Sequence, residues 1–396
     1  MSDDSPWPFT LTGIEDPRRG FDALRAEAPL QFLAGYGLWV ATGHRPVTAL
    51  LRDDRCVTAP VPPAEVLGGG DAAVAEPVRR TLERMAVLSN APEHRDRRLP
   101  LQRAFAPEVV EPARARVRAH ARDLLAGASP PVDAVKDLAV PLFDRALDEA
   151  LRLPAGAGRN LRRAWKKVSA AIDRPDQVVT AETAGLVLAV HESLAAHLAG
   201  LREQPAEPPD TAPIDVLLRV AGDTGLTDAE IIANLILALT SGHRSAAQAL
   251  ALAIHTLATH PGEYARLRAD PSLVPRAVEE LLRFDGSVHF TNRLVTEDVE
   301  VDGCPVGAGS IVMLVLGGAN HDPEMFPDRE LDVGATRRPH LSFGRGAHYC
   351  PGAPLARLAM VELLGELVAR VEQPALAAPP TFTAARRGLD SLLVTW

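Results

Sequence analysis

Apolar residues recur along much of the chain at spacings of three and four, the period of an α-helix. This pattern runs from Ala104 to about Gly200, where strand signals are few. We therefore expect helices to make up the middle of the protein. The first hundred residues are mixed, because residues 37–42 predict a strand and Arg45 to Leu51 a helix, which indicates a small sheet near the N-terminus.

The most clearly defined helix begins after Thr227 and ends before His260-Pro261. Thr227 and Glu230 have the spacing of a capping box, in which a hydroxyl and a carboxylate each bind one free backbone amide. At the standard rise the helix is roughly 45–50 Å long. It is apolar almost all round, so we expect it to be buried. Residues 238–245 contain a glycine and several hydroxyls, which predict an irregular stretch near its middle.

The last third of the chain changes pattern several times. A helix is predicted from Arg276 to Phe284, and alternating strand segments follow between Thr291 and Val315. Another helix and a pair of strands close the chain. Two Pro/Gly-rich stretches, residues 60–70 and 205–213, predict loops that are too short to mark a domain boundary.

Composition narrows the classes of protein. The net charge of −9 argues against a nucleic-acid binder, which needs a basic surface to displace phosphate counterions. The acidic, polar N-terminus lacks the basic and apolar regions of a signal peptide. No apolar run approaches the roughly 18 residues of a membrane-spanning helix. We therefore expect a cytoplasmic protein without a membrane anchor.

The three cysteines, Cys56, Cys304 and Cys350, are widely separated, so we expect neither a disulfide framework nor a structural zinc site. Cys56 and Cys304 lie in ordinary turn or strand-edge contexts and are predicted to be inert. Cys350 instead follows two glycines and precedes a predicted helix. A helix N-terminus and nearby amides lower the pKa of a thiol, and glycines let the backbone approach a large flat ligand. Cys350 is therefore predicted to be a metal-binding thiolate.

The segment from Phe343 to Gly352, FGRGAHYCPG, resembles the haem-binding loop of the cytochrome P-450 family, Phe-Gly-x-Gly-x-His-x-Cys-x-Gly, at every defining position. The resemblance covers nearly the whole chain. It implies a single triangular domain over residues 1–396, mainly α-helical with small β-sheets, whose long central helix lies over the haem. It also implies haem b (heme b, iron-protoporphyrin IX) as cofactor, ligated by Cys350, with Phe343, Gly344 and Gly352 around it.

Glu280 and Arg283 stand three residues apart on one predicted helix, hence on one face. In this position they resemble the ion pair found in the core of the family. The family completes the pair with a second arginine just upstream of the cysteine loop, and Arg337 and Arg338 are both candidates.

The resemblance also implies which residues bind the two haem propionates. Buried carboxylates need several cationic or hydrogen-bonding partners to offset the hydration that they lose. The positions that match the family's propionate contacts are His94, Arg98, Arg293 and His348.

The central helix departs from the family pattern. Most members carry Ala/Gly-Gly-x-Asp/Glu-Thr-Thr, whose acid and alcohol relay protons to iron-bound dioxygen. Here the aligned run is Ser-Gly242-His243-Arg244-Ser245-Ala, so that Arg244 stands at the acid position and Ser245 at the alcohol position. Because arginine stays protonated near neutral pH, Arg244 cannot act as a general acid or base. Gly242, Arg244 and Ser245 are the predicted catalytic positions.

Three interpretations of Arg244 are open. It can hold a substrate carboxylate, which then supplies the missing proton relay, as in the fatty-acid peroxygenases of this family, although their elongated cysteine loop is absent. Alternatively, the enzyme abstracts hydrogen or electrons from an aromatic or peptide substrate and lets radicals couple without oxygen insertion. In the third interpretation Arg244 turns away and pairs with a neighbouring acid, leaving water and Ser245 to relay protons.

Further positions are predicted to contact the substrate. Aromatic residues make up only 4% of the chain, which predicts a pocket lined by aliphatic and small side chains. Arg386 and Arg387 can add to a site for an anionic substrate. By resemblance, the residues that line the pocket are His243, Arg244, His289, Phe290 and Leu389.

The resemblance implies an electron donor as partner. No flavin or nicotinamide domain is appended, so a ferredoxin and its reductase are expected to supply electrons, unless peroxide replaces them. Arg345 and Arg357 flank the cysteine loop and are candidates for docking an acidic ferredoxin.

We therefore predict a haem-thiolate oxidoreductase, a monooxygenase that tailors a small natural product, with oxidative coupling of an aromatic or peptide substrate as the alternative. A non-enzymatic haem sensor is the remaining class. Sensors usually carry an output module, and here one fold takes up the whole length.

Overall fold

The computed structural model describes residues 17–154, 156–172, 178–204, 212–336, 339–383 and 387–396. Helices dominate, as the hydrophobic pattern predicts. In chain order they are α1 (Arg18–Glu27), α2 (His44–Arg52), α3 (Ala64–Leu67), α4 (Ala72–Glu83), α5 (Glu93–Ala104), α6 (Pro107–Val110), α7 (Arg114–Ala126), α8 (Val140–Ala150), α9 (Ala157–Ile172), α10 (Ala181–Glu203), α11 (Pro213–Asp223), α12 (Asp228–Leu237), α13 (His243–Thr259), α14 (Pro261–Ala269), α15 (Val274–Phe284), α16 (Leu316–Ala319) and α17 (Ala353–Arg370).

The strands are short and form small sheets. The largest sheet has the order β1-β2-β8-β5-β3, in which β2 and β8 run parallel and the other neighbours antiparallel. The smaller sheets are β4-β12-β9, β6-β7 and β10-β11. The strands are β1 (Leu30–Leu33), β2 (Leu38–Ala41), β3 (Cys56–Val57), β4 (Val132–Asp133), β5 (Thr291–Val295), β6 (Val299–Val301), β7 (Cys304–Val306), β8 (Ile311–Leu314), β9 (Ala375–Leu376), β10 (Thr381–Phe382), β11 (Leu389–Ser391) and β12 (Leu393–Thr395).

The predicted long helix is present as α12 and α13, joined by a π-helical turn at Ala238–Gly242. The predicted capping box is confirmed, because the Thr227 amide donates to the Glu230 carboxylate (3.0 Å) and the Glu230 amide to the Thr227 hydroxyl (3.4 Å). The π turn falls on the stretch predicted to be irregular. Alanine and leucine side chains bury most of α13 in the main hydrophobic core.

Most predicted elements outside this helix are also confirmed, including the strand before α2, α2 itself, α15 and the strands between residues 291 and 315. One feature was missed inside the helical middle. The two-residue strand β4 pairs with β12 near the C-terminus, with Val132 opposite Val394. A strand of two residues carries no hydrophobic period, so its pattern cannot reveal it.

Within the described ranges, α10 alone has the length and apolar composition to cross a membrane. It packs against α9 and α4 and buries side chains such as Val187, Leu194 and Leu198 in the main core. About a third of its apolar window, 33%, is buried in the protein.

Candidate functional site

Hydrogen bonds close the loop before α17 into a tight turn around Cys350. The Cys350 amide donates to the Phe343 carbonyl (2.9 Å), and the Gly344 amide donates to the Leu341 carbonyl (2.8 Å). Gly344 and Gly346 have φ angles of +70° and +72°. Because side chains rarely adopt this left-handed conformation, the turn requires glycine at both positions.

Two influences on the Cys350 thiol oppose each other. Burial raises its pKa, whereas the amides of Gly352 and Ala353, at the start of α17, and the charge of Arg98 lower it. Burial prevails, so the sequence prediction of a lowered pKa is wrong for the free thiol. Coordination of a metal removes the thiol proton altogether. The two amides then remain as donors that tune a bound thiolate.

The Cys350 side chain borders a cavity of ≈ 430 Å³, which we call the Cys350 cavity. Gly242 and Ser245 of the central helix also line it, together with Phe343, Gly344 and Gly352 of the cysteine loop. The rest of the lining is mainly aliphatic and small, as the low aromatic content predicts. Examples are Val87, Leu88, Ala246, Ala249, Val288 and Met360.

His94, Arg98, Arg293 and His348 come together from α5, β5 and the cysteine loop. The rings of His94 and His348 have centroids 4.2 Å apart, and Arg98 donates to the Tyr349 carbonyl. Burial, and then the nearby His94, Arg293 and Arg98, lowers the pKa of His348 to about 3. A cluster of basic groups held in this way has a large unmet demand for negative charge.

The hydrogen bonding of this cluster indicates what kind of ligand it would bind. Nε2 of His94 is buried and has no hydrogen-bond partner among the described residues. Arg293 is 5% exposed, and its hydrogen bonds within the described ranges go to neutral oxygens, those of Thr291 (3.1 Å) and Asn292 (2.7 Å). A ligand with carboxylates would supply the missing acceptors and charge. The cavity, its thiol and this cluster therefore fit haem and its two propionates.

Glu280 and Arg283 form a bidentate ion pair with N–O distances of 2.7 and 2.8 Å. Both side chains are 1% exposed. Among the described residues, the further hydrogen-bond partners of Arg283 are backbone groups. Its guanidinium donates to the carbonyls of Asn320 and Arg329. Arg337 and Arg338, the two candidates for a second arginine, lie outside the described residues.

His243 contacts a charged cluster between α8 and α9 that the sequence analysis did not predict. Its Nε2 lies 2.9 Å from Oδ1 of Asp144. The distance suits a hydrogen bond, but the angle does not, so the two groups are in contact without a hydrogen bond. Arg162 lies 2.7 Å from the same carboxylate and 3.2 Å from that of Asp148. Asp144 is about a hundred residues from His243, so only the fold reveals the contact.

Arg244 and Ser245 differ in their surroundings. Ser245 lines the Cys350 cavity, and its hydroxyl donates to the carbonyl of Ser241 (2.7 Å). Arg244 is exposed and does not line the cavity. No acid of the described residues pairs with it, contrary to the interpretation in which it turns towards a neighbouring carboxylate.

None of the five residues predicted to line the pocket is among the described residues that line the Cys350 cavity; besides His243 and Arg244, three more lie elsewhere. His289 is buried against Phe21, with ring centroids 5.5 Å apart, and Phe290 packs on the same cluster. Leu389 is buried in the main core, where its backbone exchanges two hydrogen bonds with Gln248. These predictions are corrected: Ser287, Val288 and Thr291 of the same segment line the Cys350 cavity instead.

Two of the additional arginines, Arg357 and Arg387, are paired with acids. Arg387 forms a bidentate pair with Asp285 at 2.6 and 2.8 Å, so its charge is already matched, and Arg386 lies outside the described residues. Arg357 is paired with Glu279 at 2.6 and 2.9 Å. Arg345 borders the Cys350 cavity.

Comparison with known proteins gives one consistent result. The family model of cytochrome P-450 matches residues 189–373. Nocardicin C N-oxygenase of Nocardia uniformis subsp. tsuyamanensis is 34% identical over 413 residues, 100% of this chain and 99% of its own. Mycinamicin VIII C21 methyl hydroxylase of Micromonospora griseorubida is 30% identical over 406 residues, 98% of this chain and 99% of its own. The crystal structure of P450BioI in complex with hexadec-9Z-enoic acid ligated acyl carrier protein has a TM-score of 0.85 and 26% identity, with 96% of this chain and 98% of that chain covered.

Proposed function

The chain belongs to the cytochrome P-450 family, and from this premise we propose that it is a monooxygenase that tailors a small natural product bearing a carboxylate. The protein is an oxidoreductase with the mainly α-helical fold of the family, and it uses haem b. A haem sensor without activity is not supported, since the relatives are oxygenases and hydroxylases. We further propose one domain over residues 1–396 and a cytoplasmic location.

The haem, when bound, supplies the oxygen chemistry, in which two electrons and two protons are consumed with O₂, one oxygen atom enters the substrate and the other leaves as water. Cys350 would hold the iron, with the amides of Gly352 and Ala353 directed at its sulfur. His94, Arg98, Arg293 and His348 would bind the propionates. The aliphatic lining of the Cys350 cavity would keep bulk water away and orient an apolar part of the substrate.

The observation that carries the carboxylate proposal is the state of Arg244. It is exposed, has no acidic partner among the described residues, and precedes Ser245, which lines the Cys350 cavity. A guanidinium in that position can form a bidentate pair with a carboxylate at the edge of the cavity. The apolar part of the same molecule would then extend into the cavity.

A ferredoxin and its reductase are the electron donors that we propose, with peroxide as a replacement. The site for docking must involve surface cations other than Arg357, because Glu279 already pairs with it. A tailoring role is supported by the two relatives, a nocardicin oxygenase and a mycinamicin hydroxylase.

A spin-state titration tests the proposal. The absorption band of the ferric holoenzyme is followed while medium-chain carboxylic acids, their methyl esters and small aromatic cyclic peptides are added. Wild type is compared with Arg244→Ala and with Arg19→Ala, which removes an exposed arginine of α1 that does not line the Cys350 cavity. We expect the acids but not the esters to shift the band, and only Arg244→Ala to weaken the response, by about tenfold or more.

Two results would overturn the carboxylate proposal. One is equal binding of acids and esters, and the other is an unchanged response in Arg244→Ala. If peptides alone bind, and Arg244→Ala binds them as well as wild type does, oxidative coupling without oxygen insertion replaces monooxygenation as the proposed reaction.

A further inference from the structure

A second cavity lies beside α7, α8 and α9, with a volume of ≈ 630 Å³. We call it the surface cavity. It shares no lining residue with the Cys350 cavity. Its lining is rich in charge and includes Asp123, Lys136, Asp137, Asp144, Arg145 and Arg159. Water that enters it meets ionised side chains, and one of these, Asp144, also contacts the central helix.

Asp144 connects the surface cavity to the π turn. Its carboxylate borders the cavity and lies 2.9 Å from Nε2 of His243, the residue that immediately follows the turn. Two arginines of α9 face the Asp144 carboxylate, Arg162 at 2.7 Å and Arg159 at 4.0 Å. Asp148, which like Asp144 belongs to α8, lies 3.2 Å from Arg162. Burial alone raises the pKa of Asp144, but His243 and the arginines outweigh it and lower the pKa. Asp144 is therefore a carboxylate near neutral pH.

The side chains of Asp144 and His243 are partly exposed, although the two atoms that face each other are shielded from water. The side chains are 14% and 15% exposed. The two atoms that face each other are buried but not aligned as a hydrogen bond, so a small rotation of the imidazole forms or breaks the bond. Imidazole is the side-chain group that most often transfers protons near neutral pH, and a neighbouring carboxylate orients it.

The residue that precedes His243 reaches the Cys350 cavity, because Gly242 lines it. Apart from its chain neighbours and the backbone of its own helix, no described atom lies within 4 Å of the position that a Cβ would take on Gly242, so there is room for water beside the backbone. The π turn also interrupts the regular hydrogen bonding of the helix at this point. Position 243 of the central helix thus lies between Asp144, which borders the surface cavity, and Gly242, which borders the Cys350 cavity.

We propose that Asp144 and His243 conduct protons from the surface cavity to the Cys350 cavity, and so replace the acid that Arg244 displaces from the central helix. This inference rests on the proposed oxygenase function. In each passage one ring nitrogen accepts a proton from the Asp144 side while the other gives one to water beside Gly242, and the imidazole then returns to its first tautomer. No electron moves in this step, and the two electrons of each turnover come from the ferredoxin.

Cyanide binding to the ferric holoenzyme tests the inference without a substrate. Hydrogen cyanide must give up its proton when cyanide binds iron, so a proton acceptor connected to the cavity accelerates association. The association rate is measured by stopped flow from pH 6 to 8, in H₂O and D₂O. Wild type is compared with Asp144→Asn, His243→Gln and Asp123→Asn, the last being a matched change of an exposed acid in the same surface cavity.

We expect Asp144→Asn and His243→Gln to slow association about tenfold or more and to remove its pH dependence and solvent isotope effect. The double variant should be no slower than the slower single variant, because the two residues act in series. Asp123→Asn should behave as wild type. A merely structural ion pair would change haem content or unfolding without changing the isotope effect, and Asp144→Glu, which keeps the carboxylate, should retain most of the rate.

Wild-type rates and isotope effects in both Asp144→Asn and His243→Gln would overturn the inference. Failure of the proposed function is distinguishable, because it would show in the wild type itself, as absence of the thiolate-ligated haem spectrum or of any response to carboxylic acids. If either variant does not fold with full haem content, the comparison of Asp144→Asn with Asp144→Glu decides the result.

Discussion

The backbone of Gly346 passes so close to α2 that a Cβ atom on it would lie 2.3 Å from the carbonyl oxygen of Leu51. The φ angle of Gly346, +72°, is also one that side chains rarely adopt. This contact fixes the cysteine loop against the N-terminal part of the protein. We predict that Gly346→Ala destabilises the fold by roughly 1–3 kcal/mol and lowers haem content.

The matched control for this change is Gly365→Ala in α17. No atom lies within 4 Å of the Cβ position at Gly365, so alanine there should be neutral or stabilising by up to about 1 kcal/mol. Both variants are compared by chemical denaturation and by haem-to-protein ratio. Equal stability of the two variants would contradict the role assigned to the contact with Leu51.

Glu280 and Arg283 are predicted to contribute to stability rather than to chemistry. Both side chains are 1% exposed, so Glu280→Gln leaves the guanidinium buried without its counter-charge and should cost roughly 3–5 kcal/mol. Glu83→Gln removes one of the two carboxylates that pair with Arg79 in a partly exposed cluster and should cost less than about 1 kcal/mol. The measurement is the free energy of unfolding in urea. A cost below about 1 kcal/mol for Glu280→Gln would argue that the pair is dispensable.

Asp285 should make stability depend on acid pH. Burial alone raises the pKa of Asp285, but Arg387 and His289 outweigh it, and the pKa lies well below its usual range. The folded protein therefore keeps the carboxylate charged where the unfolded chain binds a proton. The stabilisation is complete above the ordinary pKa of about 3.9 and is lost as pH falls below it, at up to ~1.4 kcal/mol per pH unit for one proton.

The measurement is the free energy of unfolding between pH 7 and pH 3 for wild type and Asp285→Asn. The variant should be less stable at pH 7, and the difference should shrink as the pH falls below about 4. A difference that stays constant over this range would show that Asp285 does not titrate in the unfolding equilibrium. Asp71→Asn, a change of an exposed helix cap, is the control.

Cys350 should determine the haem spectrum. Cys350→Ala removes the only thiol that borders the cavity within the described part of the chain. We expect lower haem content and, in the reduced protein with carbon monoxide, loss of the red-shifted absorption typical of thiolate ligation. Cys304→Ala, in β7, should leave both unchanged. An unaltered spectrum in Cys350→Ala would exclude it as the iron ligand.

The sequence predicted those parts of the site that depend on local pattern. The cysteine loop, the capping box at Thr227 and the irregular turn at Ala238–Gly242 are each determined by residues within one or two helical turns. Glu280 and Arg283 were found for the same reason, since they share one helix face.

Other parts of the site depend on distant residues. The contact of Asp144 with His243 arises only when α8 packs on α13. The side chains of His289 and Phe290 were assigned to the wrong place because residues 285–290 are irregular, so that no period along the chain indicates which side chains reach the Cys350 cavity. The charge of Arg357 is matched by Glu279 on another helix, a pairing that no spacing along the chain indicates.

The pairing of β4 with β12 also constrains the order in which the protein folds. Asp133 accepts hydrogen bonds from the Ser391 hydroxyl and the Leu392 amide, and the Ala134 amide donates to the Leu392 carbonyl. These partners are separated by some 260 residues, so the segment at Asp133 and Ala134, which leads into α8, stays unpaired on the ribosome until Ser391 and Leu392 have been synthesised. The closing strands are therefore expected to pair with β4 late in folding, because contacts of such long sequence separation form slowly.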